Sequence, residues 1–391
     1  MPPSPVTVSV VMPVYNRAAQ VAQAARGILD GTFGEFELIA VDDGSTDDSV
    51  AILTGLAEAD GRVRVLRQAN AGAYAARTAA AAVARGRYLA MQDADDVSLP
   101  DRLAKQVALL DAHPDVALVG GGLHMVDGGG ERVIRTAAVP TDDDAIRSAI
   151  ESYNPIHTTT ATIRKTSFDA VGGFRKAFRV AGDYDLWLRL SERWPLANLG
   201  EPLARYRVHG DQISTTKLGQ QVMGILASQA AARWRKARPG QSDPVERAPA
   251  ITSELLAELG VDQQTVDNLE VAGCLSWAEL VTEAGHPDMA LALLDRAAEL
   301  SNTATTSRST LSKIHQGYAR AYSAQHQTLR KLTSAARAKL LERDWSPQGL
   351  VRRVARKFSR PHPAQPTPPP AAVTEPQPEP PPAAGGEGAT P

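Results

Sequence analysis

The sequence predicts an α/β fold, a mostly parallel sheet flanked by helices, followed by an all-α region and a Pro-rich tail with no core. Three observations predict it. Short apolar or β-branched runs alternate with helical stretches, one strand every roughly 20 to 30 residues, through the first part of the chain. Two of those runs end abruptly in paired acids, Asp42-Asp43 and Asp93-Ala94-Asp95-Asp96. From about Lys217 onward the alternation stops and the pattern is helical alone.

Val6 to Met12 is a β-branched run suited to a buried strand, ending at Pro13-Val14-Tyr15-Asn16-Arg17. Ala18 to Leu29 has helical spacing, with Val21, Ala25, Ile28 and Leu29 as its apolar face. Glu37 to Val41 is a second strand. It stops at Asp42-Asp43-Gly44-Ser45-Thr46-Asp47-Asp48, which mixes turn residues with helix-capping ones. Ser49 to Ala59 reads as helix, Val63 to Leu66 as strand, Asn70 to Ala84 as helix and Tyr88 to Met91 as a fourth strand. These are βαβ units, which build a parallel sheet with right-handed crossovers.

The stretch after the fourth strand organises the rest. Leu89-Ala90-Met91 belongs in the middle of a sheet, and Asp93, Asp95 and Asp96 follow where a loop begins, before a helix that starts near Pro100. Ligands bind at the carboxyl ends of strands in open α/β sheets. Carboxylates this close repel, so a cation belongs among them, and a divalent ion carrying a phosphate is the natural one. The plain alternative is a solvated acidic turn. No Gly-x-Gly-x-x-Gly follows the first strand and no Walker A sequence is present. The two acidic strand ends share one sheet edge, which could read a base and ribose at one end and a metal-pyrophosphate at the other.

Composition narrows the class. The net charge of −2 over 391 residues argues against nucleic acid as a bulk partner. Cys274 is the only cysteine, so neither an intrachain disulfide nor a cysteine-rich zinc site can form. Met1-Pro2-Pro3-Ser4-Pro5 lacks the basic and apolar regions of a secretory leader, and no apolar run is long enough for a spanning helix. A cytoplasmic location is expected.

Seven motifs, in order, make the first 216 residues resemble a family-2 glycosyltransferase of the GT-A fold. They are Val10 to Arg17, Val41 to Asp47, Asn70-Ala71-Gly72 with Ala76-Arg77, Gln92 to Asp96 with Leu99-Pro100-Asp101-Arg102, Val171-Gly172-Gly173-Phe174, Gly182 to Leu190, and Tyr206-Arg207-Val208-His209-Gly210. The resemblance implies roles. Pro13, Val14, Tyr15, Asn16 and Arg17 would lie beside the nucleotide base. Asp43 would accept a hydrogen bond from uracil, with Asp42 next to it. Arg77 would approach the nucleotide or its phosphates. Asp93-Ala94-Asp95 matches the family's Asp-x-Asp, with Asp93 near the ribose and Asp95 binding Mn²⁺ or Mg²⁺. Asp96 would support the metal site or cap a helix. Asp183 would be the general base that takes the acceptor hydroxyl's proton in an inverting transfer. In the family this Asp usually follows an acidic residue; Gly182 stands there instead. Asp185 is the rival, although the helix expected over Leu186 to Leu190 makes it a capping or supporting residue. His209 either completes the metal shell or is structural. His157 is either a sugar contact or a polar core residue. Processive members carry Gln-x-x-Arg-Trp, whereas Gln229 to Trp234 is one residue too long, so transfer of one sugar per encounter is expected.

Beyond the transferase domain, 6–216, a helical region is expected over 217–345, with a loop over Gly240 to Pro249. Glu270 to Leu300 reads as a helix pair broken at Gly285-His286-Pro287, resembling one tetratricopeptide unit. Residues 346–360 form a basic amphipathic segment, with Leu350, Val351, Val354 and Phe358 among Arg352, Arg353, Arg356 and Lys357. That composition suits an anionic membrane face as well as a solvated helix. Residues 361–391, Pro- and Ala-rich, are expected to be a disordered tail.

The expected activity is metal-dependent, inverting transfer of a sugar from a nucleoside diphosphate, UDP before others, to a hydroxyl. The acceptor would be a glycan or lipid-linked sugar at the inner face of the membrane, and the product a bacterial surface glycan or glycolipid. The alternative is a non-catalytic nucleotide-sugar-binding or scaffold protein of the same fold. A nucleotidyltransferase would need a Gly-rich phosphate loop with a Lys after the first strand, which is absent. The oligomeric state is left open.

Overall fold

A computed structural model describes residues 6–210, 212–301, 307–325, 330–331, 333–335 and 338. The chain divides into units 1–342 and 343–391, and the described residues belong to the first. The expected basic segment 346–360 and tail 361–391 lie outside them.

The order of elements is β1 (Val8–Val14), α1 (Val21–Leu29), β2 (Phe36–Asp42), α2 (Ser49–Ala59), β3 (Val63–Arg67), α3 (Ala73–Val83), β4 (Tyr88–Met91), β5 (Val97–Ser98), α4 (Arg102–Ala112), β6 (Leu118–Val126), β7 (Val133–Ala137), α5 (Asp143–Ile150), β8 (Thr162–Arg164), α6 (Lys165–Ala170), α7 (Gly182–Ser191) and β9 (Leu196–Arg207). Helices follow: α8 (Ile213–Thr216), α9 (Leu218–Ala237), α10 (Ser253–Glu258), α11 (Gln263–Glu283), α12 (Pro287–Leu300) and α13 (Arg308–Ala324). Among the described residues the strands form one sheet in the order β3-β2-β1-β4-β8-β6-β9-β5, with β7 on β6.

The sheet has two halves. β3, β2, β1 and β4 are mutually parallel. Their alternate residues feed opposite cores, which is why these strands read as unbroken apolar runs. Val10, Met12, Leu38 and Ala90 pack with Val21, Ala25 and Ile28 of α1 and Leu53 of α2. Val11, Ile39, Leu89 and Met91 pack with Ala76 and Ala80 of α3 and Leu186 and Trp187 of α7. In the second half β8 pairs antiparallel with β4 and β6, whereas β9 runs parallel to β6 through two register shifts. A third core joins Phe178 and Val208 to Leu226, Cys274, Val281 and Leu294 of the helices. Transferase and helical segments therefore share buried contacts.

Two boundaries differ from expectation for clear reasons. β1 runs on through Pro13, which pairs with Val41. Successive residues of β1 bond to opposite neighbours: Val11 O accepts from Gln92 N, and Val14 O accepts from Asp43 N. Pro13 thus faces the β4 side, past the last β1–β4 pair Val11–Met91, where a missing N–H costs nothing. Second, α7 begins at Gly182, not Leu186, after Ala181 in the left-handed region at φ 56°. Asp183 and Asp185 both fall in its first turn. Strand-like geometry would have put them on one side; a helix turns two residues about 200° apart.

Candidate active site

The loops after β1, β2 and β4 meet on one rim. Asn16, at φ 50°, donates its N–H to Ser45 Oγ at 3.0 Å and accepts from Thr46 N on Oδ1 at 2.8 Å. Asp47 accepts from Ala18 N at 3.0 Å. The loop over Pro13 to Arg17 and the turn after Asp42 are thereby one structure, with Tyr15 46 % exposed on it and Val14 buried beneath.

Asp42 is buried and accepts from Ser45 N at 3.2 Å. Asp43 is buried too. Its Oδ1 accepts from Gln68 Nε2 at 2.7 Å and Ala71 N at 2.9 Å, and its Oδ2 from Gly72 N at 2.8 Å. It anchors the entry to α3. A carboxylate has about four acceptor positions, so one of Asp43's stays available.

At the end of β4, Arg77 donates to Asp93 Oδ1, and Asp93 N donates to Thr159 Oγ1 at 3.4 Å. Asp95 Oδ2 receives Arg17 Nε at 3.0 Å and lies 3.2 Å from His209 Nε2. Ala94 is buried in the core between them. Burial pushes the Asp93 carboxyl up; Arg77 pulls it back, and Asp95 adds to the rise. Burial acts on Asp95 as well, but the His209 and Arg17 contacts outweigh it and hold that carboxyl below its ordinary value. Asp96 is pushed well up, first by burial and then by Asp95 and Asp93. It caps no helix: its Oδ1 accepts from Arg207 N at 3.0 Å.

Two arginines that motif reading did not single out build this turn. Arg207 donates from Nε to Asp95 O at 3.0 Å and from its guanidinium to Gly128 O at 3.1 Å and Gln23 Oε1 at 2.6 Å. Arg102 is 1 % exposed beneath the turn, donating to Gln92 Oε1 at 3.1 Å, Ser98 Oγ at 2.8 Å and Met91 O at 2.7 Å. Burial lowers its pKa to about 9, against the pull of Asp93 and Asp96.

Asp183 stands across from this cluster among neutral donors. Its Oδ1 accepts from Tyr74 Oη at 2.8 Å; its Oδ2 accepts from Asn154 Nδ2 at 3.0 Å and Thr158 Oγ1 at 2.6 Å. Asp185 turns the other way. It is fully buried, takes Arg189 Nε at 2.9 Å and lies 3.6 Å from Arg175. His157 is half-buried beside Asp183; burial pushes its pKa down to about 4, with Asp183 opposing. Gln229, on α9, donates to Tyr184 Oη at 3.1 Å. Asn154, Thr158 and Thr159 carried no signal in the sequence. Arg207 and Tyr74 sat inside or beside quoted motifs without a distinguishing pattern.

Among the described residues no group of three or more His, Cys, Asp or Glu converges as a ready-made metal site, and no helix is long and apolar enough to cross a membrane.

A sheet with a parallel half, a mixed half and acids at the strand ends defines a GT-A-like glycosyltransferase fold. Residues 9–182 match the profile of glycosyl transferase family 2. The putative glycosyltransferase EpsE of Bacillus subtilis is 31 % identical over 235 residues, covering 58 % of this chain and 83 % of that protein. The amylovoran biosynthesis glycosyltransferase AmsE of Erwinia amylovora is 28 % identical over 210 residues, 53 % of this chain and 78 % of that protein. The crystal structure of S. aureus TarS 1-349 in complex with UDP-GlcNAc aligns over 86 % of this chain and 92 % of that one, at 16 % identity and a TM-score of 0.48. The chain belongs to glycosyl transferase family 2 and is a glycosyltransferase.

Proposed function

We propose that this enzyme transfers a sugar from a UDP-sugar to an acceptor hydroxyl with inversion, aided by a divalent cation at Asp95. The observation that carries the reading is the contrast in partners: Asp95 meets Arg17 and His209, whereas Asp183 meets neutral donors only.

The donor would lie along the rim. Tyr15 offers an exposed ring to the base, and Asp43's remaining acceptor position suits the uracil N–H. Asp42, Asn16, the buried Val14 and the partly buried Pro13 hold the loops that frame it. Arg77 keeps Asp93 in place at the ribose end.

Asp95 and His209 fit a cation. Their facing atoms are 3.2 Å apart, and a carboxylate suits Mn²⁺ or Mg²⁺. Two protein ligands fall short of a cage, as is usual for an ion that also takes substrate phosphates and water. Bound there, the ion would stabilise charge on the departing diphosphate. Arg17, already on Asp95 Oδ2, supplies a positive neighbour to the same oxygens. On the opposite side Asp183 would take the proton of the attacking hydroxyl as the oxygen bonds to the anomeric carbon. The acceptor would be a growing glycan or a lipid-linked sugar, and the enzyme would work as a single-transfer catalyst.

The test is nucleoside-diphosphate release from UDP-, GDP- and dTDP-sugars with Mn²⁺, Mg²⁺ or EDTA, for wild type and Asp95→Ala. The expected result is release from a UDP-sugar, abolished by EDTA and lowered at least about tenfold by Asp95→Ala. Release unaffected by EDTA would overturn the metal reading. Absence of both release and calorimetric binding for every donor would leave the non-catalytic scaffold.

A further inference from the structure

We propose that Tyr74 is a positioning residue for Asp183, admitted to its place by the missing side chain at Gly182. The inference rests on Asp183 being the base.

α3 reaches three carboxylates within about two turns. The N–H groups of Ala71 and Gly72, just before it, hold Asp43. Tyr74 donates to Asp183 Oδ1 at 2.8 Å, and Arg77, one turn on, donates to Asp93. Residues three apart share a helix face, and the Arg77 guanidinium lies 5.1 Å from the centre of the Tyr74 ring. Phe174 packs on that ring with centroids 5.1 Å apart. The phenol is thus clamped between a cation that grips the donor-side carboxylate and an aromatic side chain, with its hydroxyl aimed at the base.

Gly182 makes the room. A Cβ built there would lie 3.2 Å and 3.3 Å from Tyr74 Cδ2 and Cε2, and 3.0 Å from Phe178 Cβ. Its φ is not positive, so the backbone does not ask for glycine. As a helical residue it would be better as alanine by propensity alone. The space taken by Phe178 and Tyr74 is the remaining reason for it. The acidic residue that the family usually carries before its base has no place here, where the Tyr74 ring and Phe178 stand instead.

The arrangement selects an atom. Asn154 and Thr158 fill both acceptor positions of Oδ2, and Tyr74 fills one of the two on Oδ1. The fourth, on Oδ1, receives the proton: the acceptor O–H bond breaks, its oxygen bonds to the anomeric carbon as the bond from that carbon to the diphosphate oxygen breaks and UDP leaves, and the proton passes to Asp183 Oδ1. Tyr74 therefore fixes the carboxylate's rotation so that this position faces the acceptor.

The experiment uses the full chain and four variants: Tyr74→Phe, Gly182→Ala, the double variant, and Asp183→Asn. For each, kcat and KM for UDP release are measured with UDP-glucose, UDP-N-acetylglucosamine or whichever UDP-sugar turns over fastest, alongside the Kd of UDP by calorimetry. Tyr74→Phe keeps the ring and its packing. It is expected to lower kcat about tenfold or more, as loss of a hydrogen bond to a charged group does, while KM and the UDP Kd stay within about twofold. Gly182→Ala, by displacing the ring, is expected to lower kcat several-fold in wild type and by a clearly smaller factor in Tyr74→Phe, where the hydroxyl is already gone and the contact with Phe178 remains. An Asp183→Asn enzyme that is crippled beside a Tyr74→Phe enzyme with wild-type kcat would overturn the positioning role and spare the base. An Asp183→Asn enzyme with wild-type kcat would overturn the base assignment itself. Equal loss of kcat and UDP affinity in Tyr74→Phe would reduce Tyr74 to a structural residue of the donor site.

Discussion

The two acidic clusters of this molecule are built alike and partnered differently. At the end of β4 the carboxylates meet basic side chains: Arg77 on Asp93, and Arg17 with the His209 ring on Asp95. At the start of α7 two carboxylates stand two residues apart. Asp185 is neutralised by Arg189 and Arg175, whereas Asp183 meets a phenol, an amide and a hydroxyl. Charge near a carboxylate decides what it can do. Cationic neighbours hold an acid ionised, whereas neutral hydrogen bonds orient it and leave its charge unpaired, which suits a proton acceptor. Asp183 and Asp185 are the same residue type two positions apart, and only their neighbours tell them apart.

Asp183→Asn tests that separation most severely. It keeps the shape and removes the proposed base, so kcat for transfer to an acceptor hydroxyl is expected to fall about 10²- to 10⁴-fold, with donor binding little changed. A donor Kd that rises as steeply as kcat falls would place Asp183 on the donor side instead. Asp185→Ala should do the reverse. It strands Arg189, which is 6 % exposed, and is expected to cost about 3–5 kcal/mol in urea unfolding. A loss of kcat at unchanged stability would make Asp185 the functional acid and undo the comparison.

A smaller effect sharpens the neutral side. His157 has an ordinary pKa of 6.5 and is pushed down to about 4 by burial, so the unfolded chain takes up the proton first. Its contribution to stability is full above about pH 6.5 and is lost as pH falls toward about 4. His157→Gln removes that dependence. The wild-type minus variant difference in unfolding free energy should therefore be larger at about pH 7 than at about pH 4.5, and a pH-independent difference would contradict burial of the imidazole. The smallest change lies outside both clusters. Arg135 on β7 pairs with Glu283 of α11 at 2.6 Å, both partly exposed. Arg135→Ala is expected to cost at most about 1 kcal/mol and to leave kcat unchanged. A larger loss in the thermal melt would show that this hairpin contact matters more than an exposed pair should.

The parallel half of the sheet was legible because both of its faces are buried, so each strand announces itself as an apolar run ending in turn residues. β1 to β4 follow directly from Val8 to Met91. β5 to β9 were not delineated. β5 has only two residues, and β8 only three, and both are held by partners distant in sequence rather than by any local pattern. The candidate site divides the same way. Asp43, Asp93, Asp95, Asp183 and His209 stand in recognisable motifs. Asn154, Thr158 and Tyr74, which hold Asp183, are ordinary residue types in ordinary stretches, and nothing local marks them.

By itself the sequence determined which strand ends carry acids, where alternation gives way to helices, and to which family those motifs belong. All of these are properties of short windows, set by periodicity and residue type. The tertiary structure decided which partner each acid received. Tyr74 and Asp183 are 109 residues apart, and His209 and Asp95 are 114 apart. Hydrogen bonds and ion pairs act over about 3 Å of space whatever the separation along the chain. The difference between Asp183 and Asp185 therefore arises only when α3, the loop over Asn154 to Thr158, and α7 pack together.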